Sequence, residues 1–331
     1  MSSQAPYFTV ILPTRDRSAM LRSALKSLLW QTEGDFEAVV IDDGSTDDTS
    51  LVMNEFSGDK RLSFLRFKPQ GLPRCRNAAL RLARGRFVTF LDDDDMWLPE
   101  RLREFRRAAD TRPGVGFWFS NSYTWRFGRI IGCHFDPKRD IPEGRVPGWY
   151  AIGESRLPYV STNMSISRQA LAAAGFLRED IHTLADTELV VRVLAAGHEV
   201  GVLRDPLAVR RVHDGQITRD HVKAYEETSV VLKSAQLTDE EALQLRRGYA
   251  RDTALYLIKG LETRKAREFM RDCGLPRDAA YWRLYAAALV PSCILSALRR
   301  MRALCVRRSA GGTVRDAHSL EAENSVRSII S

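Results

Sequence analysis

Buried strands that alternate with amphipathic helices are the feature that most constrains the fold of this chain. Four runs, at residues 8–12, 38–41, 64–67 and 87–91, are apolar almost throughout, and apolar residues recur at helical spacing between them. Strands without a polar face are typical of a parallel sheet that helices cover on both sides. The sequence therefore predicts an α/β fold with a mostly parallel central sheet.

The pattern changes after residue 114, and the change predicts a chain of more than one part. Aromatic residues alternate with polar ones over 115–135, which favours antiparallel strands, and short strands are predicted at 200–203 and 208–212. From residue 222 onward the apolar spacing is almost wholly helical. We predict a first domain over 1–217, a helical C-terminal region over 218–308 and a flexible polar tail over 309–331.

Charge is concentrated near the C-terminus. The chain has 50 Lys and Arg against 42 Asp and Glu, a formal net charge of +8. Residues 264–308 contain eleven basic and three acidic residues, which accounts for the whole excess. The remainder is therefore close to neutral, and this distribution disfavours a protein that binds nucleic acid over its whole surface.

Three further features indicate a cytoplasmic protein. The five cysteines form an odd set without CxxC spacing, which excludes a regular disulfide framework or zinc site. The N-terminus has neither the basic nor the apolar region of a signal peptide. The longest uncharged apolar stretch, residues 284–298, is shorter than the roughly 20 residues that a spanning helix needs.

Acidic residues follow two of the predicted strands. Residues 92–95 are four consecutive aspartates directly after a buried strand, and Asp42 and Asp43 follow another. Ligands of such sheets bind at the carboxyl ends of the strands, where both groups would meet. Adjacent carboxylates repel one another, and Mg²⁺ or Mn²⁺ would offset that repulsion. Helix capping by one of the aspartates is the structural alternative.

Other candidate residues carry weaker signals. No GxGxxG follows the first strand, so a dinucleotide site is not expected. Arg74 and Arg76, near a helix start, could meet a diphosphate, although the spacing alone favours ordinary surface arginines. Asp186 opens a helix, where an N-cap is the alternative to a functional role. His213 follows a strand and is more typical of a structural histidine.

Taken in order, these stretches resemble the family 2 glycosyltransferases of the GT-A fold. The resemblance covers about residues 7–217, and the stretches 40–49 and 85–99 together make it specific. It implies a GT-A nucleotide-diphospho-sugar transferase fold with a helical C-terminal extension. The matching stretches are residues 10–17, 40–49, 71–79 and 85–99, with a later region over 186–197 and 206–213.

The resemblance also implies roles for individual residues in a metal-dependent, inverting transfer of a sugar. Asp186 would be the catalytic base, and Asp94 would bind the Mn²⁺ or Mg²⁺ ion. Asp43 would accept from the base of the nucleotide, and Asp92 or Asp93 would face the ribose and sugar. The nucleotide-sugar residues implied in this way are Pro13, Arg15, Asp43, Arg76, Asp92 and Asp93.

Two positions depart from the family pattern. Ala185 stands where many members have the Glu of a Glu-Asp pair, and Arg15 stands where many have an aromatic residue. Arginine can also stack on a base. UDP is the default donor nucleotide, and dTDP and GDP remain open. Ala185 and the basic C-terminal region also leave a second hypothesis open, a catalytically silent GT-A domain that acts as a membrane-associated scaffold.

The basic segment over 264–308 lies outside the resemblance and predicts a contact with an anionic membrane surface. Aromatic and basic residues there suit an interfacial helix at the inner face of the plasma membrane. A helical hairpin packed on the protein core is the alternative, and nucleic acid is not an expected partner. The expected acceptor is a glycan or lipid-linked glycan, in the synthesis of a cell-surface polysaccharide or glycoconjugate.

Overall fold

The computed structural model of the protein describes most of the chain and divides it into two compact units. The first unit comprises Met1–Gln216 and His318–Ser331, and the second comprises Ile217–Ala317. The described residues are 5–152, 157–213, 216, 220–296 and 317–330, with the side chains of the last segment described from 321.

The first unit is built on one nine-stranded sheet. Its strands are β1 (Phe8–Thr14), β2 (Phe36–Asp42), β3 (Leu62–Arg66), β4 (Phe87–Phe90), β5 (Met96–Trp97), β6 (Val115–Arg126), β7 (Arg129–Cys133), β8 (Met164–Ser167) and β9 (Glu199–Arg211). Along the sheet their order is β3-β2-β1-β4-β8-β6-β9-β5, with β7 paired to β6. Six of these strands (β1 to β4, β6 and β9) run in one direction and three in the other. The mostly parallel sheet predicted from the sequence is confirmed.

Helices connect these strands and form the second unit. Those of the first unit are α1 (Ser18–Leu29), α2 (Thr49–Glu55), α3 (Leu72–Leu82), α4 (Arg101–Thr111), α5 (Arg168–Ala174), α6 (Ala185–Ala195) and a C-terminal helix (Ala317–Ile330). The second unit contains α7 (His221–Ser234), α8 (Asp239–Lys259), α9 (Thr263–Asp272) and α10 (Ala279–Leu289). Within the described ranges, no helix is long and apolar enough to cross a membrane.

The main core holds β1 rigidly against α1. Leu21, Leu25 and Leu28 follow the i, i+4, i+7 spacing of one helix face, and all are completely buried against the sheet. Each buried leucine contributes about 1.5–3 kcal/mol relative to an exposed one. This packing fixes the carboxyl end of β1, where the acidic residues gather.

One long strand replaces two short ones that the sequence predicts. The separate strands at 200–203 and 208–212 are instead the single strand β9, which pairs in parallel with β6. The register shifts where Asn121 of β6 faces Pro206 of β9. Proline cannot donate a ladder hydrogen bond and is tolerated at such an irregularity, so the chain continues beyond it as one strand.

The prediction of a flexible tail over 309–331 is wrong for residues 317–330, which form a helix. Its residues Ala322, Val326 and Ile329 are buried on a cluster that β5, β6 and β9 supply. The three residues are spaced i, i+4 and i+7, so a mostly polar segment still has one apolar face. Residues 309–316 lie outside the described residues.

Candidate active site

Three parallel strands bring the acidic residues to one edge of the sheet. β1 lies between β2 and β4, and the last residue of β1, Thr14, stands opposite Asp42 at the end of β2. The amide of Asp43 donates to the carbonyl of Thr14 at 3.0 Å. β4 ends at Phe90, and the four aspartates follow it after Leu91. The predicted meeting of both acidic groups at one sheet edge is confirmed.

Three of the four aspartates form a cluster that can hold a divalent cation. One carboxylate oxygen from each of Asp92, Asp94 and Asp95 lies within 4.8 Å of the other two. The turn is tight, because the amide of Asp95 donates to the carbonyl of Asp92 at 3.0 Å. Such hard oxygen ligands suit Mg²⁺ or Mn²⁺, so the donor set fits the predicted ion. The sequence prediction assigned Asp94 alone to the ion, and the cluster also includes Asp92 and Asp95.

The electrostatics of the acidic cluster also favour a cation. Burial, followed by the charges of Asp94 and Asp92, raises the pKa of Asp95 well above its usual value. Burial likewise raises the pKa of Asp92, although Arg76 opposes the shift. Burial therefore opposes ionisation of these carboxylates even beside Arg76, and a divalent cation would relieve that penalty.

Asp93 is not part of the three-carboxylate cluster. Thr14 Oγ1 donates to it at 2.8 Å, and Arg17 Nη1 donates to it at 3.0 Å and to Asp94 at 2.9 Å. Burial, followed by the charge of Asp94, raises the pKa of Asp93 to about 6. The hydrogen bonds therefore tie the acidic turn to the end of β1, and the predicted contact of Asp93 with ribose or sugar stays a prediction.

His213 and Arg211, at the end of β9, complete the surroundings of the acidic turn. His213 Nε2 lies 2.9 Å from Asp94 Oδ2, so this histidine lies beside the acidic turn. The amide of Arg211 donates to Asp95 at 2.9 Å, and its guanidinium donates to the carbonyls of Asp93, at 3.0 Å, and of Asp94. Strand β9 therefore fixes the backbone of the turn.

Arg76 bridges the acidic turn to the predicted base. Its guanidinium, 2% exposed, donates through Nη1 to both oxygens of Asp186, at 2.6 and 2.7 Å. Through Nη2 it donates to Asp92 at 2.5 Å and to Ser161 Oγ at 3.2 Å. Although burial opposes the charged form, the two carboxylates raise the pKa of Arg76, which stays charged. Arg76 thus links Asp92 to Asp186, and its predicted place beside the nucleotide stays a prediction.

Asp186 lies in the first turn of α6, and its side chain caps no helix. The helix begins at Ala185, and its N-cap residue makes no side-chain capping bond, so the alternative of an N-cap aspartate is wrong. Within α6, Arg192 forms an i, i+4 ion pair at 2.7 Å with Glu188, which is fully buried. Arg192 also donates to the carbonyls of Ala174 and Phe176, and these bonds tie the helix that presents Asp186 to the end of α5.

The predicted nucleotide residues lie at the ends of β1 and β2. Asp43 is held by the backbone amides of Gln70, at 2.7 Å, and Gly71, at 3.0 Å. Arg15 Nη1 lies 3.7 Å from the Asp43 carboxylate, and its side chain is half exposed. Pro13 is buried at the end of β1. The structure thus brings Pro13, Arg15 and Asp43 together beside the acidic turn.

Comparison with known proteins identifies the family. The sequence model of Glycosyl transferase family 2 matches residues 9–176, about half of the chain. The chain belongs to glycosyltransferase family 2. It is therefore an enzyme of the glycosyltransferase class, as predicted.

Relatives with curated names share part of their length with this family 2 glycosyltransferase. WfgD of Escherichia coli, a UDP-Glc:alpha-D-GlcNAc-diphosphoundecaprenol beta-1,3-glucosyltransferase, is 31% identical over 40% of this chain and 51% of its own. A GalNAc(5)-diNAcBac-PP-undecaprenol beta-1,3-glucosyltransferase of Campylobacter jejuni is 40% identical over 38% and 41%. The chain thus spans about half, or less, of these named relatives. An uncharacterized protein of Mycobacterium tuberculosis is 29% identical over 72% of this chain and 74% of its own.

Solved structures confirm the GT-A fold. The family 2 glycosyltransferase superimposes on residues 1–349 of S. aureus TarS in complex with UDP-GlcNAc with a TM-score of 0.58, at 18% identity over 85% of this chain and 79% of that one. It also superimposes on the mannosyltransferase PcManGT from Pyrobaculum calidifontis, in complex with GDP-Man and Mn²⁺, with a TM-score of 0.57. The identity is 17% over 99% of this chain and 86% of that one.

Proposed function

We propose that this family 2 enzyme is a metal-dependent, inverting transferase that moves a sugar from a nucleotide-diphosphate donor to a lipid-linked or glycan acceptor. One observation carries the proposal: Arg76 joins the carboxylate cluster of Asp92, Asp94 and Asp95 to the separate carboxylate of Asp186. An inverting transfer needs these two parts, one to hold the donor diphosphate and one to accept a proton.

In this proposal Asp92, Asp94 and Asp95 would hold Mn²⁺ or Mg²⁺. Their oxygens lie within 4.8 Å of one another, and burial raises the pKa values of Asp92 and Asp95. When bound, the ion would offset the negative charge that develops on the leaving diphosphate. Support also comes from PcManGT, which was solved with GDP-Man and Mn²⁺.

Asp186 would act as the general base. The acceptor hydroxyl oxygen attacks the anomeric carbon of the donor sugar as the bond from that carbon to the diphosphate breaks, and the hydroxyl proton passes to Asp186. Attack from the face opposite the diphosphate inverts the anomeric centre. Arg76 would orient the Asp186 carboxylate, since it donates to both of its oxygens. Each oxygen keeps a second lone pair for the incoming proton.

The donor nucleotide would bind beside Pro13, Arg15 and Asp43. The TarS structures contain UDP-GlcNAc or UDP, which supports UDP as the expected nucleotide. Lipid-linked acceptors are supported by the E. coli and C. jejuni relatives, whose names specify diphosphoundecaprenol or PP-undecaprenol substrates. A cell-surface polysaccharide or glycoconjugate is the expected product class.

The variant Asp186→Asn tests this function against the silent-scaffold hypothesis. The change keeps the shape of the side chain and removes the base, so we expect transfer to fall by about 10²–10⁴-fold with unchanged nucleotide affinity. The matched control is Asp180→Asn, at an exposed aspartate that pairs only at the surface with Arg178. Full turnover by Asp186→Asn would reject the base assignment. Absence of turnover in the wild type with every nucleotide-sugar would favour a scaffold.

A further inference from the structure

Helix α10 of the second unit has one buried face and one exposed apolar face. Tyr281 and Ala288 are buried within the unit. Trp282, Ala286 and Leu289, at spacing i, i+4 and i+7, are exposed, Trp282 by 53% and Leu289 by 60%. Single exposed apolar residues are ordinary, whereas a tryptophan and a leucine aligned on one helix face indicate a contact surface. We refer to these three residues as the Trp282 face.

Exposed arginines lie near the Trp282 face along the chain. Arg271 on α9, Arg277 in the connection and Arg283 on α10 are exposed. Across the described ranges, none of the three forms an ion pair with a carboxylate. A surface that combines an exposed tryptophan with unpaired arginines is complementary to a partner with an apolar interior and anionic groups at its boundary.

We propose that the Trp282 face binds an anionic lipid surface. Trp282 and Leu289 would enter the boundary between headgroups and acyl chains, and the arginines would contact lipid phosphates. A second copy of the chain fits less well, because a two-fold symmetric contact would place the arginines of one copy against those of the other. This surface would keep the enzyme where a lipid-linked acceptor lies. The lipid contact itself does not depend on the proposed reaction.

Co-sedimentation of the full chain with vesicles tests this surface. The vesicles contain phosphatidylcholine alone or phosphatidylcholine mixed with phosphatidylglycerol. We expect binding to the mixed vesicles, and at least about tenfold weaker binding after the double change Trp282→Ser and Leu289→Ser. Replacing Arg277 and Arg283 by glutamine should weaken binding to the anionic vesicles by roughly fivefold for each residue.

The matched control is Leu51→Ser on α2, because Leu51 is also 60% exposed but lies in the other unit. It should bind as the wild type does, and circular dichroism verifies that every variant is folded. Undiminished binding by the Trp282 and Leu289 double variant would overturn the proposal, as would equal binding to neutral vesicles. It would also be overturned if the wild type dimerised without binding vesicles and the double variant were monomeric. The assay contains no sugar donor, so it is independent of the catalytic proposal.

Discussion

Replacement of Arg76 by lysine should damage catalysis while leaving most of the fold intact. Arg76 makes two hydrogen bonds to Asp186, one to Asp92 and one to Ser161. An ammonium group keeps the positive charge, but it is a compact donor that cannot present the planar fork needed to reach both carboxylates. We therefore expect Arg76→Lys to retain one side of the bridge and to lose the other.

The size of the effect follows from those contacts. A hydrogen bond to a charged group contributes about 1.5 kcal/mol or more, so the loss of two costs about 3 kcal/mol of unfolding free energy. Arg76→Gln also removes the charge, and breaking a buried pair in this way costs about 3–5 kcal/mol. A shift of about 1 Å in a catalytic group typically lowers the rate by about 10²-fold. We therefore expect the kcat of Arg76→Lys to fall by about 10²-fold.

Urea unfolding and steady-state kinetics, measured on the same preparations, test this prediction. The matched control is Arg74→Lys, two residues earlier on α3, because Arg74 is 57% exposed and makes one ion pair, at 3.3 Å with Glu179. Exposed pairs contribute about 0–1 kcal/mol, so this variant should resemble the wild type. The positioning role also requires that Arg76→Lys lower kcat more than it weakens nucleotide binding. Unchanged kcat and stability in Arg76→Lys would refute the bridge.

Three further predictions follow from single residues. Asp94→Asn should weaken Mn²⁺-dependent nucleotide binding by at least about tenfold, because a neutral amide replaces a carboxylate ligand; calorimetry that gave the wild-type metal affinity would contradict this. Gly44→Ala should lower the unfolding free energy by about 2–4 kcal/mol, because φ is +77° and the added Cβ would lie 2.5 Å from a proline side chain. Gly58→Ala, which meets no atom within 4 Å, should be nearly neutral in the same urea titration. Burial, followed by a hydrogen bond to a carboxylate, raises the pKa of Cys75 to about 12. Cys75 should therefore stay a thiol at pH 8 and resist iodoacetamide, while the exposed Cys133 reacts. Rapid alkylation of Cys75 in the folded protein, detected by mass spectrometry, would be inconsistent with its burial.

The local sequence pattern was sufficient to predict the parts of the site that lie at strand ends. Asp43 and Asp94 follow apolar strands that run in parallel, and parallel strands present their carboxyl ends at the same edge. Their proximity therefore follows from the apolar runs alone. Asp95 was not assigned to the ion, because a run of adjacent aspartates does not indicate which side chains form the cluster. That choice depends on the bond from the amide of Arg211 to Asp95, which joins residues 116 positions apart.

Long-range contacts explain what the sequence pattern did not predict. The bridge from Arg76 to Asp186 spans 110 positions and depends on where the fold places α3 and α6, which no local spacing encodes. The C-terminal helix was missed because only its apolar face, with Val326 at the centre, distinguishes it from a polar tail. In both cases tertiary packing selects among conformations that the local sequence allows.

Calorimetric titration of UDP, dTDP and GDP into the wild-type protein, each with and without Mn²⁺, tests the central claim most directly. One nucleotide, expected to be UDP, should bind only when the metal is present, because its diphosphate would otherwise meet the carboxyl groups of Asp92, Asp94 and Asp95 without a cation to offset its charge. Folded protein that binds none of the three, or binds one equally well without metal, would contradict it.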